Sequence, residues 1–113
     1  MGIRSQVGIA LKASIAEKVL KEHPWLLTDS DEQHKSEEGQ LIIFHDVKWY
    51  ASVDPQIILL YASLENLQVD DYLIVEACSE CPDVDGGEGN WIDNPWNMRY
   101  ATNVFVSYCE AVK

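Results

Sequence analysis

Positive charge is what this chain has least of. Eight Lys and Arg stand against nineteen Asp and Glu, giving a net charge of −11. Four of the eight (Arg4, Lys12, Lys18, Lys21) fall within residues 1–22 beside two acids, which leaves four bases and seventeen acids for the rest. No Lys or Arg lies between Lys48 and Arg99, and within that stretch Glu65, Asp70, Asp71, Glu76, Glu80, Asp83, Asp85, Glu88 and Asp93 place nine acids from residue 65 to residue 93. Such a field repels DNA, RNA and anionic lipid at long range, so direct nucleic-acid or membrane binding is not expected. Long apolar runs are also missing, with nothing near the ~18–20 residues of a membrane span. Residues 1–11 carry one Arg and no apolar block of the secretory kind, so the expected compartment is the cytoplasm. Cysteine is scarce and odd in number (Cys78, Cys81, Cys109), which argues against a disulfide framework. Glycine-rich phosphate loops and nucleophile elbows are absent.

What is present reads as one α+β domain. The chain has 113 residues, enough for one core and too few for two, and 47% hydrophobic residues is globular usage. Residues 3–12 alternate, with Ile3, Val7, Ile9 and Leu11 on one face, and predict a strand. Ser14 and Glu17 have capping-box spacing for a helix that Pro24 ends, after which Trp25-Leu26-Leu27 is expected to fold back onto the core. Residues 28–40 are polar and are expected to form a mobile loop. Residues 41–50 predict a second strand, apolar on both faces at its start. Asp54-Pro55 supplies an N-cap and first-turn proline for a helix whose apolar face is Ile57, Ile58, Tyr61, Leu64 and Leu67. A third strand over 72–78, a long acidic Trp-rich loop at 79–101 and a last strand over 102–112 complete the order β-α-β-α-β-β. The expected architecture is a two-layer sandwich, a four-stranded mixed sheet with two helices on one face. Ile42, Phe44, Leu73 and Val75 suggest that the opposite face is also apolar, and a homodimer is one way to cover it.

Few motifs carry chemistry. Cys78-x-x-Cys81 is half a zinc or redox pair. Cys109 with His23, His34 or His45 does not complete a second pair at ligand spacing, so no metal is expected. Asp83-x-Asp85 fails the calcium-loop pattern, because Gly87 falls where a third ligand belongs. Without a nucleophile–base arrangement or a cofactor motif, the chain is expected to act by binding rather than as an enzyme. Two candidate sites stand out. One is Arg4, Ser5, Lys48, Trp49 and Tyr50, with Arg99, where cations suit phosphate and aromatic rings suit a base. The other is the acidic loop with Glu80, Asp83, Asp85, Glu88, Trp91, Asp93 and Trp96, whose Trp residues suit an interface with a basic protein.

The opening Ile3-Arg4-Ser5-Gln6-Val7 and the later Asp46-Val47-Lys48-Trp49-Tyr50 resemble two signatures of a set of small bacteriophage proteins. Those proteins open with an aromatic-Arg-Ser-x-Val strand and carry Asp-Val-Lys-Trp-Tyr before a helix, with an acidic stretch after the third strand. Here Ile3 replaces the aromatic, and the loop is longer and richer in Trp. The resemblance implies a phage origin, and with it the cytoplasm of a host cell, but carries no activity over. Phage genomes keep many small proteins that disable host defences by stoichiometric binding, and by that association a counter-defence role is expected. On that footing the first expectation is an acidic inhibitor of a host nucleic-acid-binding defence effector. The alternative is a sponge for a nucleotide-derived immune signal such as a cyclic nucleotide or an ADP-ribose derivative, and a further one is a structural or regulatory phage protein.

Overall fold

A computed structural model describes residues 5–47, 49, 53–78, 86–91 and 93–96. Its elements are β1 (Ser5–Lys12), α1 (Ala13–Glu22), the single turn α2 (Trp25–Thr28), β2 (Glu32–Ser36), β3 (Gly39–Val47), α3 (Pro55–Glu65), a 3-10 turn (Val69–Asp71), β4 (Tyr72–Cys78) and β5 (Gly86–Gly89). The five strands form one sheet in the order β2-β3-β1-β4-β5, and every neighbouring pair is antiparallel.

The α+β two-layer expectation holds, but the sheet is not mixed. The reason is β2, which lies within the stretch expected to be a mobile loop. Its residues Glu-Gln-His-Lys-Ser carry no apolar alternation, so they read as loop. In the fold they are an edge strand, where polar and charged side chains suit one solvated border and discourage pairing with other chains. Glu37 and Glu38 turn the chain so that Ser36 pairs with Gly39. With that hairpin inserted, each helical crossover must skip a strand. The chain passes from β1 through α1 to β2 across β3, and from β3 through α3 to β4 across β1. Two such split β-α-β units give the ferredoxin-like β-α-β-β-α-β order, with β5 added beyond β4. The strand expected over 102–112 lies outside the described residues.

Alternation along the strands builds two cores. Val7, Ile9 and Leu11 of β1, Ile42 and Phe44 of β3, and Tyr72 and Ile74 of β4 pack under Ile15, Ala16 and Val19 of α1, Leu26 of α2, and Ile57, Leu60 and Leu64 of α3. The other sheet face is apolar as well, through Ala10, Leu41, Ile43, Leu73 and Val75, whereas Ile42 and Phe44, expected there with Leu73 and Val75, alternate to the helix side. It is covered from within the chain by Trp91 and Trp96, so the exposed face that suggested a homodimer is already filled. Gly89 makes this possible. Its φ of +89° turns the chain sharply after β5, and a Cβ there would sit 2.2 Å from the Tyr72 carbonyl oxygen. Asn90 and Trp91 N–H groups then both donate to that oxygen at 3.0 Å, and Asn94 Nδ2 donates to the Trp91 carbonyl at 2.9 Å.

Two local expectations need correction. α1 starts without a Ser14–Glu17 box. β1 runs directly into it, Lys12 is the N-cap without a side-chain bond, and the Ala13 N–H donates instead to the Glu38 carbonyl at 2.8 Å. On α3 the buried stripe is Ile57, Leu60 and Leu64, flanked by half-buried Tyr61, with Leu67 half-buried beyond the helix end, so Ile58 faces solvent at 43% exposure. The Asp54 cap is as expected, its Oδ1 accepting from the Gln56 N–H at 3.0 Å, with Pro55 in the first turn. The aromatic cluster after Pro24 also packs inward as expected, with Leu26 fully buried and Trp25 half-buried.

Candidate functional site

Carboxylates gather where the 3-10 turn packs beside β5. The turn carries Asp70 and Asp71, and the chain leaving β5 carries Asn90 and Asp93. Asn90 Nδ2 donates to Asp70 Oδ1 at 3.3 Å, which ties the two segments together. Lys12, at the end of β1, reaches the Asp71 carboxylate at 3.5 Å and places its Nζ 5.9 Å from the Trp91 ring centroid. Lys12, Asp70, Asn90, Trp91 and Asp93 enclose a cavity of about 350 Å³. Asp70 and Asp93 are exposed, so Lys12 is the one cation among the described lining residues beside two surface acids.

Of the residues expected to meet a basic protein, Asp93 is therefore on the surface. Trp91 and Trp96 are not, at 5% and 0% exposure. Their rings meet edge-to-face at 6.0 Å and fill the second core, because that apolar face needed large side chains to cover it. Glu88 is placed by its backbone, which pairs with Ile74. Glu80, Asp83 and Asp85 lie outside the described residues, as does Cys81, while Gly86–Gly89 of the expected loop is strand β5.

The phosphate-and-base site fares differently. Ser5 pairs with Val47, so the two strands that were to bring Arg4 and Lys48 together are indeed neighbours. Arg4, Lys48, Tyr50 and Arg99 themselves lie outside the described residues. Trp49 is 5% exposed, and its ring belongs to the helix-side core rather than offering a face to a base. Its Nε1–H donates to Tyr61 Oη at 3.0 Å, and Tyr61 in turn donates to the Glu76 carboxylate.

Three further arrangements were not legible from sequence. Trp25, Phe44 and Trp49 form a ring triangle with centroids 5.4 to 6.0 Å apart, beside a hollow of about 110 Å³ that Asp29 and Asp54 border. On the second sheet face, the Glu32 carboxylate accepts from His34 Nε2 at 3.0 Å and from His45 Nε2, while Gln6 Nε2 donates to His45 Nδ1 at 3.1 Å. Among the described residues, no three His, Cys, Asp or Glu side chains are arranged as a metal would need. Between α1 and β2 runs a groove of about 480 Å³, with Ala16 and Leu20 on one wall and Lys21 and Lys35 at its rim. The signals for all three are cross-strand or cross-element neighbours, and the second and third also require knowing that β2 exists. His23, whose Nε2 lies 3.0 Å from Ser63 Oγ, has its pKa lowered by burial, with Glu22 opposing the shift.

Among the described residues, no helix is long and apolar enough to cross a membrane. Compared with family models, with curated protein sequences and with solved structures, the chain finds no match in any of the three.

Proposed function

We propose that this protein works by stoichiometric binding, as an acidic inhibitor that occupies the basic surface of a host nucleic-acid-binding defence effector. The observation that carries the reading is the acidic surface around the 3-10 turn, where Asp70 and Asp93 are exposed and line a cavity whose one described cation, Lys12, is already engaged by Asp71. Carboxylates displayed on a folded surface resemble the charge of a nucleic-acid backbone without its bases. A basic groove meets such a surface quickly, because opposite fields steer encounter, and the attraction is screened over roughly 8 Å at physiological salt. The phage counter-defence setting rests on the two sequence signatures and on the net charge of −11.

The test is capture from bacterial lysate on the immobilised protein at low salt and at roughly 0.5 M salt. The reading expects nucleic-acid-binding proteins that elute with salt and are displaced by added DNA. Partners indifferent to both treatments would contradict it. The nucleotide-sponge reading would need a base-stacking face other than Trp49, whose ring is buried.

A further inference from the structure

We propose that the hollow bordered by Trp25, Phe44, Trp49, Asp29 and Asp54 is a receptor for a single arginine side chain of the partner protein. This rests on the reading above and names the anchor through which a basic surface would be held.

The hollow has a volume of about 110 Å³ and opens to solvent, a scale that suits a guanidinium with its last methylenes. The walls select for positive charge. Phe44 and Trp49 are 2% and 5% exposed and therefore fixed, while the half-buried Trp25 stands at the surface on the one-turn helix α2. The ring planes meet at 41° to 47°, and of the three rings only Trp25 is accessible to a cation, Phe44 and Trp49 being buried neighbours that line the hollow. A cation over the Trp25 face is attracted by the quadrupole of the indole.

Asp29 and Asp54 add negative charge at the mouth. Asp54 uses Oδ1 to cap α3, and that bond holds the carboxylate in place. Arginine suits this better than lysine, because its flat guanidinium stacks on an indole while its edge donates to a carboxylate.

The chain already contains the same device with its own cation. Lys12 sits over the Trp91 ring at 5.9 Å and against Asp71 at 3.5 Å. The Trp25 hollow has the same components, an indole with carboxylates beside it, and among the described residues no Lys lines it.

The experiment follows the four indole N–H signals by NMR while N-acetyl-arginine amide is added to the full chain, with the uncharged isostere N-acetyl-citrulline amide as control. The Trp25 and Trp49 signals are expected to shift saturably with arginine and not with citrulline, and Trp96 is expected to stay still. Trp25→Leu should weaken binding by about tenfold. Asp29→Asn, on an exposed side chain away from the core, should weaken it by roughly twofold to fivefold. Unchanged Trp91 and Trp96 signals would show that either variant is folded.

Equal shifts with citrulline, or an arginine response confined to Trp91, would overturn the proposal. So would the absence of any saturable response. If arginine fails while basic proteins are still captured and released by salt, the pocket is refuted and the acidic-surface reading stands. If arginine binds as described while no basic protein is captured, the pocket stands and that reading falls.

Discussion

Trp96 gives the sharpest test of how the second sheet face is closed. Its side chain is fully buried against Ala10, Leu41, Ile43, Leu73 and Val75, and it meets Trp91 edge-on. Trp96→Ala removes that ring and leaves a void the rigid sheet cannot fill, a change worth about 3–5 kcal/mol. Small domains have roughly 5–15 kcal/mol in total, so much of the stability would go. For 113 residues the unfolding entropy is about 0.24 kcal/mol per kelvin, which converts the loss to roughly 13–20 °C in Tm. Trp96→Phe separates packing from polarity. Among the described residues the Trp96 Nε1–H is buried without an acceptor, and such a donor costs about 1–3 kcal/mol. Phenylalanine loses some contact but also removes that donor, so its net cost should stay below about 1.5 kcal/mol. Urea unfolding followed by far-UV circular dichroism measures both, with Leu59→Ala, at 62% exposure, as a near-neutral reference. If Trp96→Ala unfolds within about 0.5 kcal/mol of that reference, the segment is not seated on the sheet and the two-core description is wrong.

Two other predictions concern backbone and pH. Gly89→Ala places a methyl 2.2 Å from the Tyr72 carbonyl at a φ of +89°, and should cost more than the ~1–2 kcal/mol of a left-handed residue alone, read by thermal unfolding. Burial holds the pKa of His23 below its ordinary 6.5, so below that pH the unfolded chain takes up a proton that the folded one resists. Stability should therefore fall as pH drops from about 6.5 toward the folded pKa. His23→Gln should flatten this part of the profile in urea midpoints measured from about pH 7.5 to about pH 5, and an unchanged slope would refute the assignment.

How much was readable in advance depended on where the information lies. β1, β4 and the Asp54-Pro55 start of α3 are written in local alternation and capping chemistry, and they appear close to where the sequence places them. β2 is written in pairing instead. Its Glu32, His34 and Ser36 are half-buried because β3 lies beside them, and nothing in five polar residues announces that neighbour. Missing one hairpin turned antiparallel neighbours into supposed parallel ones and so changed the sheet. The same gap concealed the Glu32–His34–His45 network, whose members converge only across that pair. The tryptophans mislead for a related reason. Trp is favoured at interfaces and in cores alike, and composition cannot tell a patch from a plug. Trp49, Trp91 and Trp96 are core side chains here, while Trp25, which was expected only to pack, is the more accessible indole. The acidic character was legible throughout, but its concentration beside the 3-10 turn depends on how that turn meets β5.

The central claim is that exposed carboxylates at this surface make the contact. The direct measurement is affinity for a captured basic partner across a salt series, for the natural chain and for the Asp70→Asn, Asp93→Asn double variant. The account predicts a steep fall of affinity with salt in the natural chain, and a weaker, flatter dependence in a variant that unfolds at the same urea concentration. Equal affinity and equal salt slope in the two proteins would contradict it.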